Sequence, residues 1–323
     1  MSMNPFRVWL AALSLSALTL AGPALAQYPD RPIRILVGYQ PGGGADLTAR
    51  IVAPKLSELL KVPVLVENRA GAAGMIAEAA LAKSAPDGYT LLVDPPGIVM
   101  NPALFRKVTY DPLNEIQPVS QLVSLTFVIV TNPEVPARTI TELVGVMRDR
   151  PRQINVATAG ASTQLVAELF RLTTQVDLTF VPYKGSAPAS TAVIGGETQV
   201  MFSDMPSVAQ HIVNGRLRAI AVTGRNRAAG LPEVPTAREG GLTDFEVSSW
   251  FGMFAPAGTP AEIVARLNAT LNQIVMMPDV VERFARIGAE PANLSVDEFS
   301  RFYRSELVRW KDVVTRARIP LND

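Results

Sequence analysis

Residues 33–46 constrain this chain more than any other stretch. A short β-rich apolar run, Ile33-Arg34-Ile35-Leu36-Val37, leads through Tyr39 and Gln40 into three consecutive glycines, Gly42, Gly43 and Gly44. Apolar residues then recur at Leu47, Ile51, Val52, Leu56, Leu59 and Leu60, the spacing of an amphipathic helix. Strand, glycine turn and helix together point several free backbone N–H groups at one spot. Glycine lets a ligand approach the backbone because no Cβ stands in the way. The partial positive charge of a helix start favours an anion or a polar oxygen there. A plain strand-to-helix turn has the same pattern. Two nucleotide readings are excluded: no Lys follows the glycines as a phosphate loop requires, and the last Gly of GxGxxG is missing. Asp46 would repel a phosphate; it suits a helix cap, or an acceptor for an amine or water.

The first 26 residues read as a cleaved secretory signal: Arg7 as the basic region, an apolar run over residues 9–20, and Ala24-Leu25-Ala26 as a small-x-small cut site before Gln27. The run is short for a membrane span, and no lipobox Cys is present. The whole chain carries 30 Lys and Arg against 29 Asp and Glu, and loss of Arg7 leaves 29 against 29. That balance points away from nucleic acid and anionic membranes as partners. With no Cys, an exported chain must rely on a large core, and its length suggests two domains. The absence of Cys and a single His, His211, exclude the usual zinc sites and Cys nucleophiles. No metal or cofactor is expected.

Strands and helices alternate after the first turn. Residues 62–68 read as a second strand, Gly71-Ala72-Ala73-Gly74 as the opening of a helix to about Lys83, and residues 89–93 as a third strand. Its end, Asp94-Pro95-Pro96-Gly97, is expected beside the glycine loop. Such alternation means a parallel sheet wrapped by helices, with ligands beyond the carboxyl ends of the strands. Residues 119–131 form a long extended run, read as a crossing into a second domain. Thr139-Ile140-Thr141-Glu142 is a capping box. Residues 155–158 then end in Ala159-Gly160-Ala161-Ser162-Thr163 and a helix, repeating the opening plan. Two such turns facing each other would make a cleft floored by two helix N-termini. Further strand ends offer Tyr183, Lys184, Gly185 and Ser186, and Ser203 with Asp204. Residues 247–255 read as the return crossing, which makes the second domain an insertion in the first and suggests two lobes closing on a hinge. Thr259-Pro260-Ala261-Glu262 and Ser295-Val296-Asp297-Glu298 read as helix starts. The second begins a helix with Phe299, Phe302, Tyr303, Leu307, Trp310 and Val314 along one stripe, expected to pack on the first lobe.

These residues resemble those of the Bug-type solute receptors of tripartite tricarboxylate transporters. The matching stretches are Tyr28-Pro-Asp-Arg-Pro-Ile-Arg34, Pro41-Gly-Gly-Gly-Ala-Asp46, Val66-Glu-Asn-Arg-Ala-Gly71, Ala85-Pro-Asp-Gly-Tyr-Thr-Leu-Leu92, Val181-Pro-Tyr-Lys-Gly-Ser-Ala-Pro188, Leu231-Pro-Glu-Val-Pro-Thr236 and Ser249-Trp-Phe-Gly-Met-Phe-Ala-Pro-Ala-Gly-Thr-Pro260. The resemblance implies an α/β, type II periplasmic-binding-protein fold with two lobes, a central cleft and two hinge crossings. Lobe 1 is expected over residues 27–126 and 249–323, and lobe 2 over 127–248. It also implies a small carboxylate-bearing or similar polar solute, a periplasmic location, and membrane transporter subunits as partner; a monomer is expected. Carried over, the binding positions are Tyr39, Gln40, Gly42, Gly43, Gly44, Ala45 and Asp46 in the first loop and Thr158, Ala159, Gly160, Ser162 and Thr163 in the facing loop. Tyr183, Lys184, Gly185, Ser186, Asp204 and Gly97 complete the set. Tyr39, Gln40 and Ala45 stand where the family usually has Phe, Pro and Thr. The facing loop is shorter than usual and lacks a His, which implies an unusual pocket lining.

Other functions fit less well. A hydrolase needs a nucleophile with a base, and GxSxG does not occur; Asp46 and Asp204 as an acid–base pair across the cleft is the form such an enzyme would take. A receptor that signals to a membrane sensor would use the same cleft. Lys184 reads either as a carboxylate partner or as a solvated charge on the lobe edge. Replacing Gly43 by Val is expected to remove ligand binding.

Overall fold

The computed structural model describes residues 28–316 and 318–323; the signal segment assigned to residues 1–26 lies outside them. Three parallel strands begin the first lobe: β1 (Ile33–Val37) lies between β2 (Val64–Asn68) and β3 (Thr90–Asp94). β1 is flanked by strands on both sides, and Ile33, Ile35, Leu36 and Val37 are all buried. The glycine turn leads into α1 (Gly44–Leu60), whose buried face is mostly small: Ala45, Thr48, Ala49, Val52, Ala53 and Leu56. That face packs with Ile35, Val37, Leu91 and Val93 of the sheet.

The segment expected to open a helix at Gly71 does so with a break. A 3₁₀ turn at Ala72–Gly74 precedes α2 (Met75–Ala82), and Ala72 and Ala73 have φ of 46° and 55°. Left-handed backbone at two successive alanines is costly, so the turn must be held from outside. α3 (Gly97–Leu104) follows β3.

Two long strands then join the lobes. β4 (Ile116–Thr131) and β9 (Ser248–Pro256) pair antiparallel from Ile116↔Pro256 to Thr126↔Ser248. From Phe127 onward β4 changes partners, lying between β7 (Val200–Asp204) and β8 (Arg218–Val222). The second lobe adds β5 (Asn155–Thr158) and β6 (Thr179–Pro182), parallel to each other, with α4 (Ile140–Asp149), α5 (Ala161–Thr174), α6 (Ser186–Ile194) and α7 (Met205–Val213). The continuous strand order is β2-β1-β3-β9-β4-β7-β5-β6. The sheet is therefore mixed, not wholly parallel: the two crossing strands run against β3 and β7.

The chain returns to the first lobe for α8 (Ala261–Val275), α9 (Pro278–Arg286), the short β10 (Glu290–Pro291) and α10 (Val296–Arg316). The Ser295 capping box forms: Glu298 N–H donates to Ser295 Oγ at 3.3 Å, and Ser295 N–H to Glu298 at 2.8 Å. The expected Thr259 cap does not form. Pro260 occupies the cap position, and the Thr259 hydroxyl donates instead to Pro256 O at 2.7 Å. Phe299, Tyr303, Trp310 and Val314 of α10 are buried. Phe299 meets Trp250 and Phe254 of β9 with ring centres 5.8 and 5.6 Å apart, an arrangement that adds to simple area burial.

Truncating this cluster should be costly. Phe299→Ala is expected to destabilise the protein by about 3–5 kcal/mol, read as a lowered urea midpoint. Val308→Ala, on the 71 % exposed side of the same helix, should stay within about 0.5 kcal/mol.

Candidate functional site

The two lobes meet where helix N-termini converge. Gly44 N–H, at the start of α1, donates to Ser207 Oγ of the other lobe at 2.8 Å. Gln40 N–H donates to Lys184 O at 3.1 Å. Opposite them lie the starts of α5 and α6. In the α5 turn Ala159 N–H donates to Thr163 Oγ1 at 2.7 Å. Ser186 Oγ donates to Asp204 Oδ2 at 3.1 Å. Asp204 also caps α7, accepting from Ser207 N–H at 3.1 Å. Burial pushes the Asp204 carboxyl above its ordinary value, against the pull of its bonds to Ser207 and Ser186. The space left between Gly43, Ala45, Pro95, Ser162 and Asp204 is about 20 Å³, room for roughly one water.

Gly44 sets this closeness. A Cβ there would lie 2.3 Å from Asp204 Oδ1 and 2.7 Å from Phe251 Cζ. At Gly43 the nearest atoms would be 3.8 Å or more away, an ordinary contact. Of the marked glycines, Gly44 is the one with no room for a Cβ at the lobe junction.

Tyr39 stands beside this narrow space and bounds a second, larger one. Its hydroxyl donates to Ala73 O at 3.1 Å, tethering the left-handed turn. A Cβ added at Gly74, Gly97 or Gly160 would strike its ring or hydroxyl at 2.9 to 3.1 Å, and one at Gly185 would touch its Cβ at 3.4 Å. Four glycines from four loops therefore make room for one tyrosine. Beyond it opens a chamber of about 640 Å³, walled by the 71–74 turn, Phe105, Gln164, Phe180, Lys184 and the C-terminal Asn322. That volume lies in the range of small-molecule sites.

Beneath the 71–74 turn lies a buried acid pair. Glu78 and Asp94 are both fully buried. Asn101 Nδ2 donates to both Glu78 oxygens at 3.1 Å. Among the described residues no donor reaches either oxygen of Asp94. Burial, followed by the Glu78 charge beside it, pushes the Asp94 carboxyl well up. Burial also raises Glu78 from 4.5 to about 7. The phenols of Tyr39, Tyr110 and Tyr303 are pushed up by burial and by these acids, so they stay protonated.

Comparison with known proteins decides the family. Residues 48–319 match the model of the "Tripartite tricarboxylate transporter family receptor". BugT of Bordetella pertussis is 38% identical over 319 residues, which cover 97% of this chain and 98% of BugT. The chain belongs to the tripartite tricarboxylate transporter receptor family. Among solved structures, an R. palustris protein with adipate superposes with a TM-score of 0.88 at 32% identity, over 91% of this chain and 100% of that one. The periplasmic binding protein BugD gives 0.88 at 30% identity, with the same coverage. The two-lobed fold expected from the sequence is that of these receptors.

In this family member the sequence-marked residues fall into three groups. Tyr39, Gly43, Gly44, Ala45, Ala159, Ser162, Thr163, Ser186 and Asp204 surround the narrow space. Tyr39, Thr158, Gly160, Tyr183 and Lys184 face the chamber. Gln40, Gly42, Asp46, Gly97 and Gly185 line neither. Gln40 lies on a shallow outer groove with Lys184. Asp46 is committed: it accepts from Gly42 N–H at 2.9 Å and from Asn68 Nδ2 at 2.9 Å, and pairs with Arg50 at 2.9 Å. Burial pushes its carboxyl up, but these partners outweigh it and hold the group below its ordinary value. Asp46 therefore braces the first loop from within its own lobe. Sequence reasoning missed Phe105, Glu168, Phe180, the 71–74 turn as a wall, and the C-terminal tail. The two left-handed alanines carry no turn signature, and nothing local to Asn322 says where the tail docks.

Two outcomes follow for this receptor. Gly44→Ala should keep the fold but remove solute binding, because the lobes can no longer meet; ligand-induced thermal stabilisation is the measurement. The Glu78 carboxyl binds its proton more tightly folded than unfolded, so its contribution is complete below pH 4.5 and is lost as pH rises to about 7. The melting temperature should fall across that window, and Glu78→Gln should flatten the fall.

Proposed function

We propose that this chain is an exported receptor that clasps a carboxylate-bearing solute between its lobes and delivers it to the membrane subunits of a tripartite tricarboxylate-type transporter. The observation that carries this reading is the pair of direct bonds between lobes, Gly44 to Ser207 and Gln40 to Lys184, ringed by the starts of α1, α5 and α6. Such a closure replaces water around a solute with fixed donors, and helix-end charge favours a carboxylate among them. A related receptor was solved with adipate, which supports the same solute class here.

In this reading the hinge lies at residues 126/127 and 248/249, supported by the change of β4 partners at Phe127. The solute touches Tyr39, Thr158, Gly160 and Lys184 at the chamber, the turns at Gly43, Ser162, Thr163 and Ser186 close the narrow space beside Tyr39, and Asp46 and Gly97 shape the loops around them. The protein acts as a monomer, without catalysis, after cleavage behind Ala26. Its two candidate cleft acids are already engaged, Asp46 by Arg50 and Asp204 by Ser207 and Ser186.

Native mass spectrometry of the exported protein should show an N-terminus at Gln27 and a co-purified small acid. In a thermal-shift panel, carboxylic acids should raise the melting temperature and their amides should not. A solute at 100 times its Kd contributes about 2.7 kcal/mol. Equal shifts from acids and amides would count against the carboxylate.

A further inference from the structure

We infer that the solute of this receptor is a monocarboxylate with an aromatic body, its ring held in the 640 Å³ chamber beyond Tyr39. The inference rests on the receptor reading above and names its substrate class.

The argument begins with the polar groups of the chamber wall, most of which already have partners. Gln164 and Asn322 bond each other reciprocally, Asn322 Nδ2 to Gln164 Oε1 at 3.1 Å and Gln164 Nε2 to Asn322 Oδ1 at 3.4 Å. Glu168 is paired with Arg171 at 2.7 Å. The Tyr183 hydroxyl donates to Glu197 at 2.9 Å, and that of Tyr39 to Ala73 O at 3.1 Å. A ligand that presented polar groups to these walls would have to break bonds already made, and an unmatched buried polar group is costly.

What the wall offers instead is apolar. The half-buried rings of Phe105 and Phe180 and the ring of Tyr39 face the chamber. A planar ring packs against such side chains with more stabilisation than its area alone supplies. One cation lines the space: Lys184, exposed, and in no ion pair among the described residues. It stands beside Tyr39 at the lobe junction, where Lys184 O meets Gln40 N–H. Glu168 also lines the chamber, but its charge is already met by Arg171. One free cation and a set of aromatic walls fit one carboxylate on a ring-bearing body. A short aliphatic dicarboxylate would leave the rings uncovered and bring a second charge into a space with no cation to meet it.

The test is calorimetric titration of the mature protein, stripped of bound solute by unfolding and refolding, with 3-phenylpropionate, 3-phenylpropionamide and adipate. We expect 3-phenylpropionate to bind at least 10-fold more tightly than adipate and than its own amide. Phe180→Ala should weaken it at least 10-fold. Phe180→Leu, which keeps apolar bulk should the Ala variant fold poorly, should give a smaller loss of the same sign. Lys184→Gln, at an exposed position that folding tolerates, should erase most of the preference for acid over amide. Tighter binding of adipate would overturn the inference and leave the carboxylate receptor standing. Amide binding equal to acid would overturn the carboxylate end while keeping the ring. Binding of none of the three would overturn the inference and the receptor reading together.

Discussion

The architecture depends on one close approach, the start of α1 against the start of α7 in the opposite lobe. Gly44 N–H reaches Ser207 Oγ because position 44 has no side chain, and even one carbon there would overlap Asp204. The N–H is one of the orphan donors at a helix start, groups that must find a partner outside their own helix. In a single-lobed protein water or a capping side chain would serve. Here the partner belongs to the other lobe, so the bond that satisfies a helix terminus also joins the two lobes. Asp204 makes this possible from its own side: it caps α7 and orients the Ser207 hydroxyl that receives the bond. Burial would drive that carboxyl to hold a proton, and the bonds from Ser186 and Ser207 oppose it.

Tyr39 organises the rest of the cleft in the same way, by filling space that glycines leave. Its ring sits among Gly74, Gly97, Gly160 and Gly185, from both lobes. Its hydroxyl bonds Ala73 O, and Asn101 reaches the same oxygen at 3.3 Å. Those two donors hold a turn that its own backbone angles disfavour. Below it Asn101 bonds Glu78, and Glu78 lies against Asp94. A connected line thus runs from the cleft through the strained turn to a buried pair of acids. Asn101 joins the turn to Glu78 by hydrogen bonds, and Asp94 at the end of the line has both oxygens buried without a donor among the described residues.

The sequence spoke clearly where the physics is local. The glycine turn, the repeated plan at Ala159 to Thr163, the Thr139 cap, the capping box at Ser295 and the two crossing strands are each written in a few adjacent residues, and each formed; at Thr139 the box is only half made, because Glu142 accepts from Arg138 N–H instead of Thr139 N–H. Thr259 shows the limit: a hydroxyl before Pro260 reads as a cap, but the helix starts one residue later with Pro260 at the cap position, and the Thr259 hydroxyl donates to Pro256 O. The chamber was hardly visible. Phe105, Phe180 and Asn322 belong to three segments far apart in the chain, and only the docking of the C-terminal tail beside Leu104 brings them together, through Asn322 N–H to Leu104 O at 2.8 Å. Asp46 reads as a helix cap or an acceptor for an amine or water because its charge stands next to the glycines. Its partners Asn68 and Arg50 lie 22 and 4 residues away, and a single stretch cannot show which of them wins.

The division of labour between strands and loops separates what joins the lobes from what lines the cleft. β4 and β9 are paired along nearly their whole shared length, and their register shifts between Pro118 and Ser120 and again between Gln121 and Val123. Irregularities of this kind bend and twist a strand pair locally. They lie just before the point where β4 leaves β9 for β7 and β8. The aromatic cluster of Trp250, Phe254 and Phe299 clamps the first-lobe side of this ribbon to α10. Both the irregular pairing and the aromatic clamp therefore belong to the first-lobe half of the ribbon, since Pro118 pairs with Phe254. The loops that line the cleft are braced within their own lobes. Asp46 with Arg50 and Asn68 braces the first loop, and the bond from Thr163 back toward Ala159 braces the facing one.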